Sequence, residues 1–184
     1  MASISVAGDT SGSVTLSAPA VAGSTVLTLP SVSGTVLTSA SSQVNGPAFS
    51  VYTSANQPFS AATFTKVQFN TKVFDTNTNF DAATNYRFTP TVTGYYQFSL
   101  GLNMLTGSAV NATFIAIAKN GSQILVSGYT YPIGTGTLIA GGLLYMNGST
   151  DFVEAYVYQG GMTQTIFGNR VDLTYFQGAM IRSA

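Results

Sequence analysis

The sequence predicts an all-β fold, a sandwich or barrel of short strands that follows an extended N-terminal arm. From Asn45 onward, apolar and polar residues alternate with a period of two in short runs separated by turn residues. No segment shows a sustained 3.6-residue period with helix caps. All 12 Phe and 10 Tyr lie after residue 44, where they can fill the core of such a sandwich.

Gly94–Met104 is the longest alternating run, and it predicts a half-buried strand. Its alternation puts one set of side chains on the buried face and a second set on the outward face: Tyr96, Phe98, Leu100, Leu102 and Met104 against Gln97, Ser99, Gly101 and Asn103. The other predicted strands are Ala48–Tyr52, Thr65–Asn70, Tyr86–Thr89, Ala112–Lys119, Gln123–Gly128, Thr137–Met146, Phe152–Tyr158 and Tyr175–Ile181. Asn120-Gly121 and Asn147-Gly148 predict hairpin turns, because Asn-Gly tolerates positive φ.

A change in composition divides the chain into an arm, residues 1–44, and a domain, residues 45–184. Residues 2–43 are mostly Ser, Thr, Ala, Gly, Val and Leu, with Asp9 as their one charge. Three short strands are predicted there, Ser13–Leu16, Thr25–Leu29 and Thr35–Thr38, after glycines spaced eleven residues apart. A disordered Ser/Gly linker is the alternative, but the Val and Leu content is high for one. Because the arm is too small to form its own core, we expect it to dock on a partner or a sister subunit.

Charge is scarce throughout the chain. Six basic and six acidic residues give a net charge of zero, and 7% of residues are charged, against roughly 25% in ordinary soluble domains. Such a surface is poorly protected against association, so we expect much of it to be buried against partners. The absence of a basic run argues against nucleic-acid binding. No apolar run of about 18 residues predicts a membrane-spanning helix.

The residue types also argue against catalysis. Without His and Cys, the chain cannot form a Ser-His-Asp or Cys-His system or a metal site built from those ligands. Paired carboxylates could hydrolyse a glycoside, but Asp151 and Glu154 are expected to point to opposite faces of one strand. We therefore expect a protein that is not an enzyme, with no catalytic, cofactor-binding or metal-binding residue.

Six motifs in a fixed order resemble the C1q-like domain family, over roughly residues 48–181. They are Ala48-Phe49-Ser50-Val51; Val67-Gln68-Phe69; Phe80-Asp81, Thr84, Phe88, Pro90, Gly94, Tyr95, Tyr96 and Phe98; Lys119-Asn120-Gly121; Gly141-Gly142-Leu143 through Asp151-Phe152-Val153-Glu154; and Phe176-Gln177-Gly178 with Ile181. The resemblance implies a ten-stranded C1q/TNF-like jelly roll that assembles as a tight homotrimer around an axis lined with apolar and aromatic side chains. Asn85 stands where the family usually has Gly, and Ser149-Thr150 interrupts the usual Gly-Asp. No collagen-like Gly-X-Y repeat occurs, which argues against complement or adipokine biology.

Calcium is the one ligand that the resemblance raises, since some C1q-like trimers bind it. Asp75, Asp81 or Asp151 near a threefold axis could supply the oxygen ligands that Ca²⁺ requires. With so few carboxylates in the chain, turn capping explains these residues better. Tyrosines raise a second question, because Tyr129–Tyr131 and Tyr156–Tyr158 either form a carbohydrate or receptor platform or fill the core and the trimer interface. The second interpretation is favoured.

The arm resembles a segment found in tailed-phage virion proteins. The resemblance rests on Gly12–Leu16, Ala18–Gly23, Leu27–Pro30 and Gly34–Thr38. Together the two resemblances predict a homotrimeric capsid decoration (cement) protein, whose residues 2–43 bind the major capsid protein or another virion protein. It would be assembled in the host cytoplasm, since the N-terminus does not read as a secretory signal.

Two other functions remain open. One is a trimeric fibre-tip protein that recognises a host surface glycan or protein. The other is a secreted bacterial C1q-like lectin, which the missing signal sequence disfavours.

Overall fold

A computed structural model describes residues 3–7, 9–17, 20–21, 23–24, 26, 31, 46–106, 112–129 and 134–184. The chain divides into two compact units, residues 1–41 and 42–184. Within the described residues the regular structure is β throughout, and none of them forms a helix long and apolar enough to cross a membrane.

The first unit contains a two-stranded antiparallel hairpin. It pairs β1 (Ser3–Ala7) with β2 (Ser13–Ser17), and Gly12 in the connection has a φ of 79°. The second strand confirms the predicted Ser13–Leu16, whereas the first was missed. The predicted strand Thr35–Thr38, and all of Thr25–Leu29 except Val26, lie outside the described residues.

Within the described residues of the second unit, thirteen strands form the two sheets of a sandwich. The six-stranded sheet contains β5 (Thr65–Lys66), β7 (Phe80–Asp81), β8 (Arg87–Phe88), β10 (Thr113–Lys119), β11 (Ser122–Tyr129) and β13 (Val153–Gln159), in the order β11-β10-β13-β8-β7, with β5 also on β13. The seven-stranded sheet contains β3 (Ala48–Tyr52), β4 (Gln57–Phe59), β6 (Thr71–Asp75), β9 (Gly94–Thr106), β12 (Gly134–Met146), β14 (Gln164–Ile166) and β15 (Tyr175–Ser183). Its order is β4-β14-β9-β15-β3-β6, and β12 pairs with the whole of β9.

Phenylalanine rings dominate the core between the sheets. Phe49 of β3 is fully buried, and its ring centroid lies 4.4 Å from that of Phe88 and 5.0 Å from that of Phe176. The predicted inward face of β9 is confirmed, since all five of its side chains are at most 2% exposed. β9 therefore has one face packed in the core and one face directed outward.

One of the two predicted Asn-Gly hairpins is confirmed and the other is wrong. Asn120 and Gly121 have φ values of 51° and 82° and join β10 to β11, as a hairpin turn with positive φ requires. Asn147-Gly148 instead connects β12 of one sheet to β13 of the other. There the Asn147 side-chain oxygen accepts hydrogen bonds from three backbone N–H groups, those of Ser149, Thr150 and Asp151. The Asn147 side chain therefore accepts the backbone hydrogen bonds that, in a hairpin, the paired strands would accept.

The predicted strand Thr65–Asn70 is also wrong in extent, because β5 ends at Lys66 and β6 begins at Thr71. Val67 and Phe69 are fully buried, so the alternation of apolar and polar residues predicted the burial of these side chains correctly. The backbone N–H of Gln68, however, donates to the side-chain oxygen of Gln57 rather than to a neighbouring strand. The backbone N–H of Val67 still donates to the Ala155 oxygen of β13, so this extended segment has the period of a strand with an incomplete ladder.

Candidate assembly surface

The middle of the chain is almost free of charge. Between Arg87 and Asp151 the sequence contains a single charged residue, Lys119. The strands β9, β10, β11 and β12 all lie within this interval, and β9 and β12, with 13 residues each, form a ladder that runs along their full length. The low charge of the whole chain is therefore concentrated in particular strands.

Three adjacent strands of the seven-stranded sheet direct uncharged side chains outward, and we call this surface the uncharged face. It consists of the outward side chains of β12, β9 and β15: Ile139, Leu143, Tyr145, Tyr95, Gln97, Ser99, Tyr175, Gln177 and Ala179, with Gly141 between them. Ile139 is 60% exposed, Leu143 55% and Tyr95 45%. Contiguous apolar exposure on a folded domain makes this surface a candidate interaction site.

Register explains why these side chains form one surface. Leu143 lies directly across from Gln97 on β9, which lies across from Ala179 on β15. Residues directly opposite in antiparallel ladders share a face, so the three strands contribute to one flat row. Tyr145 and Tyr95 form the next row, with ring centroids 5.6 Å apart in an edge-to-face arrangement. Arg182 of β15 lies across from Tyr95 in this row and ends the uncharged face.

Two residues predicted to face outward from β9 are covered. Gly101 lies beneath the ring of Tyr175, which would meet any added Cβ at 2.5 Å. Asn103 is 5% exposed, and its side-chain amide donates to the Thr137 hydroxyl at 3.0 Å. At this end of the uncharged face, the Tyr175 ring covers the backbone at Gly101 and the Asn103 amide is buried against Thr137.

The outward face of the six-stranded sheet carries paired charges instead. Lys66 forms an ion pair with Glu154, whose other carboxylate oxygen accepts a hydrogen bond from the Tyr156 hydroxyl at 3.0 Å. Burial, together with the Glu154 carboxylate, raises the pKa of Tyr156 to about 12. Arg87 stacks over the ring of Phe152 at 4.4 Å. Each charge on this face has a partner in the same domain.

The carboxylates considered for calcium are held by their own surroundings. Asp75 accepts hydrogen bonds from the backbone N–H groups of Asn79 and Phe80 and pairs with Lys72 at 2.8 Å. Backbone N–H groups that follow Asp81 hold the pKa of that carboxyl far below its ordinary value. The turn-capping interpretation is confirmed for both residues. No three acidic side chains within the described part of the chain come together as a metal site would require.

Asp151 ties two connections of the fold together. Its carboxylate pairs with Lys119 at 2.8 Å and accepts hydrogen bonds from the Asn120 side chain and the Asn147 backbone. Burial alone would raise the pKa of Asp151, but these contacts outweigh it and hold the pKa below its ordinary value. The residue precedes β13, so the prediction that it shares a strand with Glu154 was wrong. The two carboxylates pair with different cations, Asp151 with Lys119 and Glu154 with Lys66.

The predicted core position of the second tyrosine cluster was also wrong. Tyr156 and Tyr158 lie on the outward face of β13, because Val153, Ala155 and Val157 occupy the inward positions of that strand. The side chains of Tyr129 and Tyr131, and the structure around Tyr131, fall outside the described residues. The glycines at 134 and 136 belong to β12.

The arm hairpin has one apolar face that is exposed within its own unit. Ile4 lies opposite Leu16 and Val6 lies opposite Val14, so all four side chains share one face. They are 57–70% exposed. The other face is polar, and Thr15 donates a hydrogen bond to the Ser5 hydroxyl at 3.4 Å. A two-stranded hairpin of this size is marginally stable in water, and burial of its apolar face would stabilise it.

Comparison with known structures identifies the fold of the second unit. No protein-family model matches the chain, and no curated protein matches it. The structure of Eiger TNF from S. frugiperda is similar with a TM-score of 0.60 and 9% identity, covering 78% of this chain and 96% of that one. Murine APRIL is similar with a TM-score of 0.57 and 9% identity, covering 74% and 100%. The domain has the C1q/TNF-like jelly-roll fold.

A globular domain of zebrafish complement 1qA protein is also similar, at 19% identity and a TM-score of 0.49, covering 75% of this chain and 99% of that one. At identities this low, the comparisons show the fold alone. The fold class predicted from the sequence is confirmed. The uncharged face belongs to the sheet that carries β9, the strand with the most extensive pairing in this jelly roll.

Sequence reasoning did not locate the uncharged face, although a signal for it was present. The low charge of the whole chain predicts association, whereas the positions of the charges along the chain indicate which strands carry the uncharged surface. The absence of charge between Arg87 and Lys119, and again between Lys119 and Asp151, would have indicated strands with two uncharged faces. One of those faces had to lie outside the core.

Proposed function

We propose that this protein is a non-enzymatic structural component that self-associates as a homotrimer through the uncharged face. The observation that carries the proposal is the exposure of Ile139, Leu143 and Tyr95 side by side on strands that contain a single charge, Arg182. Burying such a surface is favourable by roughly 25 cal/mol per Å² of apolar area and needs no charge partner. The C1q/TNF-like fold supports a trimer rather than another oligomer.

The role we propose for the trimer is decoration of a tailed-phage capsid, with residues 2–43 as the anchor. The apolar face of the arm hairpin supports this role, because Ile4, Val6, Val14 and Leu16 need a surface to cover them. A hairpin whose two strands carry no charge, and whose apolar face consists of Ile, Val and Leu side chains, fits an uncharged, apolar acceptor, such as a patch on the major capsid protein or another virion protein. The resemblance of the arm to virion proteins supports the same assignment.

Opposite faces of the hairpin provide a matched test of the anchor. Val6→Lys and Leu16→Lys change the apolar face, while Ser5→Lys and Thr15→Lys add the same charges to the polar face of the same strands. We expect the first pair to prevent binding of the trimer to undecorated particles in a co-sedimentation assay. The second pair should leave binding within about threefold of the unchanged protein, since only apolar burial is proposed to drive docking. Equal loss from both pairs would show that the apolar face is not the contact.

Deletion of residues 2–43 tests the same role more coarsely. The truncated chain should remain a folded trimer and fail to bind particles. A truncated trimer that still decorates particles would refute the role of the arm. Quantitative gel densitometry then separates decoration from a fibre tip, because a decoration protein occurs in a copy number set by the capsid lattice and a fibre tip in very few copies.

A fibre-tip protein that recognises a host glycan or protein is the second candidate. The observation that favours it is a set of partly exposed aromatic side chains on the outward face of the six-stranded sheet, including Phe64 and Tyr158. This face lies on the opposite sheet from the uncharged face. Both surfaces are therefore available to one assembled molecule.

A further inference from the structure

Three aromatic rings form a row across the outward face of the six-stranded sheet, and we call them the aromatic row. They are Phe64, which directly precedes β5, Tyr158 of β13 and Phe114 of β10. The ring centroids of Phe64 and Tyr158 are 4.8 Å apart, and those of Tyr158 and Phe114 are 6.0 Å apart. Phe114 and Tyr158 are direct cross-strand partners, so the row runs perpendicular to the strands.

The ring of Phe114 lies across the sheet rather than standing on it, and neighbouring rings of the row are inclined to one another by 35° and 42°. The ring of Phe114 occupies the space directly over Gly128 of β11, where a Cβ atom would collide with its Cδ1. Ala116, which faces outward next along β10, is fully buried, so longer side chains on this face must extend over it. A ring that lies on the backbone of its own sheet directs its second face to solvent. Phe64 is 41% exposed, and the side chains of Phe114 and Tyr158 are partly exposed.

The surroundings of the row are electrically neutral. The nearest described charges on β5 and β13 are Lys66 and Glu154, which neutralise each other in an ion pair. Tyr156 separates that pair from Tyr158 along β13, and its hydroxyl is already hydrogen-bonded to Glu154. Lys66 also donates a hydrogen bond to the backbone oxygen of Asn85. Its ammonium group is therefore already engaged by two partners and is poorly placed to pair with an anionic ligand.

We infer that the aromatic row is a stacking site for a neutral glycan, with pyranose rings as the groups that it recognises. One face of a pyranose ring presents C–H groups, which pack on the face of an aromatic ring while the hydroxyl groups remain in water. Contact between flat rings contributes affinity without charge, and neutrality of the row disfavours uronic-acid and sialic-acid residues. The ring centroids are 4.8 and 6.0 Å apart and the ring planes are inclined to one another by 35° and 42°, so the row is a stepped, open surface that contacts a glycan chain rather than enclosing a single sugar.

This inference deepens the second candidate function, since it names the class of receptor, and it leaves the trimer proposal independent. Nucleic acid also stacks on aromatic rows, but it requires cations that track its phosphates. The row has no such cation. A protein partner would also bury aromatic side chains, and that outcome is distinguished by the experiment below.

The test applies fluorescently labelled full-length protein to a glycan array that carries neutral hexose oligosaccharides, uronic-acid oligosaccharides and sialylated oligosaccharides. We expect binding to neutral glycans, and about a tenfold loss of affinity in Tyr158→Ala and in Phe64→Ala, the usual effect of removing one stacked ring. Tyr158→Phe should retain binding, because it keeps the ring. Phe152→Ala removes an aromatic side chain that directly precedes β13 and lies outside the row, and it should bind as the unchanged protein does.

Binding confined to acidic glycans, no binding to any glycan on the array, or equal binding by Tyr158→Ala would overturn the inference. A loss in Tyr158→Phe as large as that in Tyr158→Ala would also overturn it, because the hydroxyl and not the ring would then be the recognised group. If the array is negative and these variants abolish attachment to a host-cell protein extract instead, the row is a protein contact. Light scattering on the same samples reports the oligomeric state separately, so failure of the glycan site is distinguishable from failure of the trimer.

Discussion

The two outward faces of this sandwich are built from the same kind of strand and have different chemistry. The uncharged face of the seven-stranded sheet exposes aliphatic and aromatic side chains such as Leu143 and Tyr95, and its polar residues are Gln and Ser. The six-stranded sheet carries ion pairs such as Lys66–Glu154 beside aromatic rings. The difference teaches that the fold fixes which residues point outward, while the distribution of charge decides which outward face can be buried flat against an identical copy.

Removal of the support that both faces share should have the largest effect. Phe49 contacts rings from both sheets, including Phe88 and Phe176, and it is fully buried. Phe49→Ala should lower the free energy of unfolding by about 3–5 kcal/mol, which is a large part of the roughly 5–15 kcal/mol of a typical domain. Chemical denaturation measures the change. Phe74→Ala removes a ring that is 48% exposed, and its effect should stay below about 1 kcal/mol.

Disruption of the charged face should have a smaller effect that is confined to one sheet. Lys66→Ala leaves the side chain of Glu154, which is 5% exposed, without its cation. Because Lys66 is one-third exposed, solvent screens part of the loss, and we expect a decrease of about 1–3 kcal/mol in the free energy of unfolding. Arg170→Ala breaks a fully exposed pair with Asp172 and should leave the denaturation midpoint unchanged. Equal effects of the two substitutions would contradict the role assigned to burial.

Acid should weaken the connection that the Asp151 carboxylate holds together. The pKa of Asp151 in the folded protein lies below its ordinary value of 3.8, so this carboxylate stabilises the fold above that pH and the contribution is lost as the pH falls through the folded value. Asp151→Asn should cost about 1–2 kcal/mol at neutral pH and little at a pH below the folded pKa. Denaturation curves at several pH values measure the difference. A cost independent of pH would show that the charge of Asp151 is not what stabilises the connection.

Salt should have the smallest effect, and its absence is itself informative. Between about 0.1 and 1 M NaCl the Debye length falls from about 10 to about 3 Å, which weakens contacts between exposed charges. Association through the uncharged face contains no such contact apart from those of Arg182 at its end. We therefore expect the mass in solution to be unchanged across this range. Dissociation in high salt would place the contact on a charged surface instead.

The fold was predictable because its main signal is local. The alternation in Gly94–Met104 identified the inward face of β9, since a strand with one face in the core repeats every two residues. The same signal failed where side chains replaced the ladder, as at Gln68, which bonds to the side chain of Gln57. It failed again at Asn147-Gly148, because an Asn-Gly sequence specifies a turn and not which sheet the next strand joins.

The candidate surfaces were less predictable, because they depend on which strands are neighbours. Phe64, Phe114 and Tyr158 are 44 or more positions apart in consecutive pairs, and the pairing of β13 with both β10 and β5 brings the rings together. The uncharged face likewise requires that Leu143, Gln97 and Ala179 lie in one row. The period of two tells which side of a strand is outward, and strand order tells which outward residues meet.

The mass of the protein in solution, measured by light scattering with and without Leu143→Lys, tests the central claim most directly. Leu143 lies in the middle of the uncharged face, and a lysine there would lose water on assembly without gaining a partner. The control is Val126→Lys, which adds the same charge to β11 of the other sheet at a residue of similar exposure.

We predict that the unchanged protein and Val126→Lys have three times the mass of one chain. Leu143→Lys should have the mass of a single chain at concentrations at least about a hundredfold above those at which the unchanged protein dissociates. A single-chain mass for the unchanged protein, or a trimer that withstands Leu143→Lys, would contradict assembly through the uncharged face.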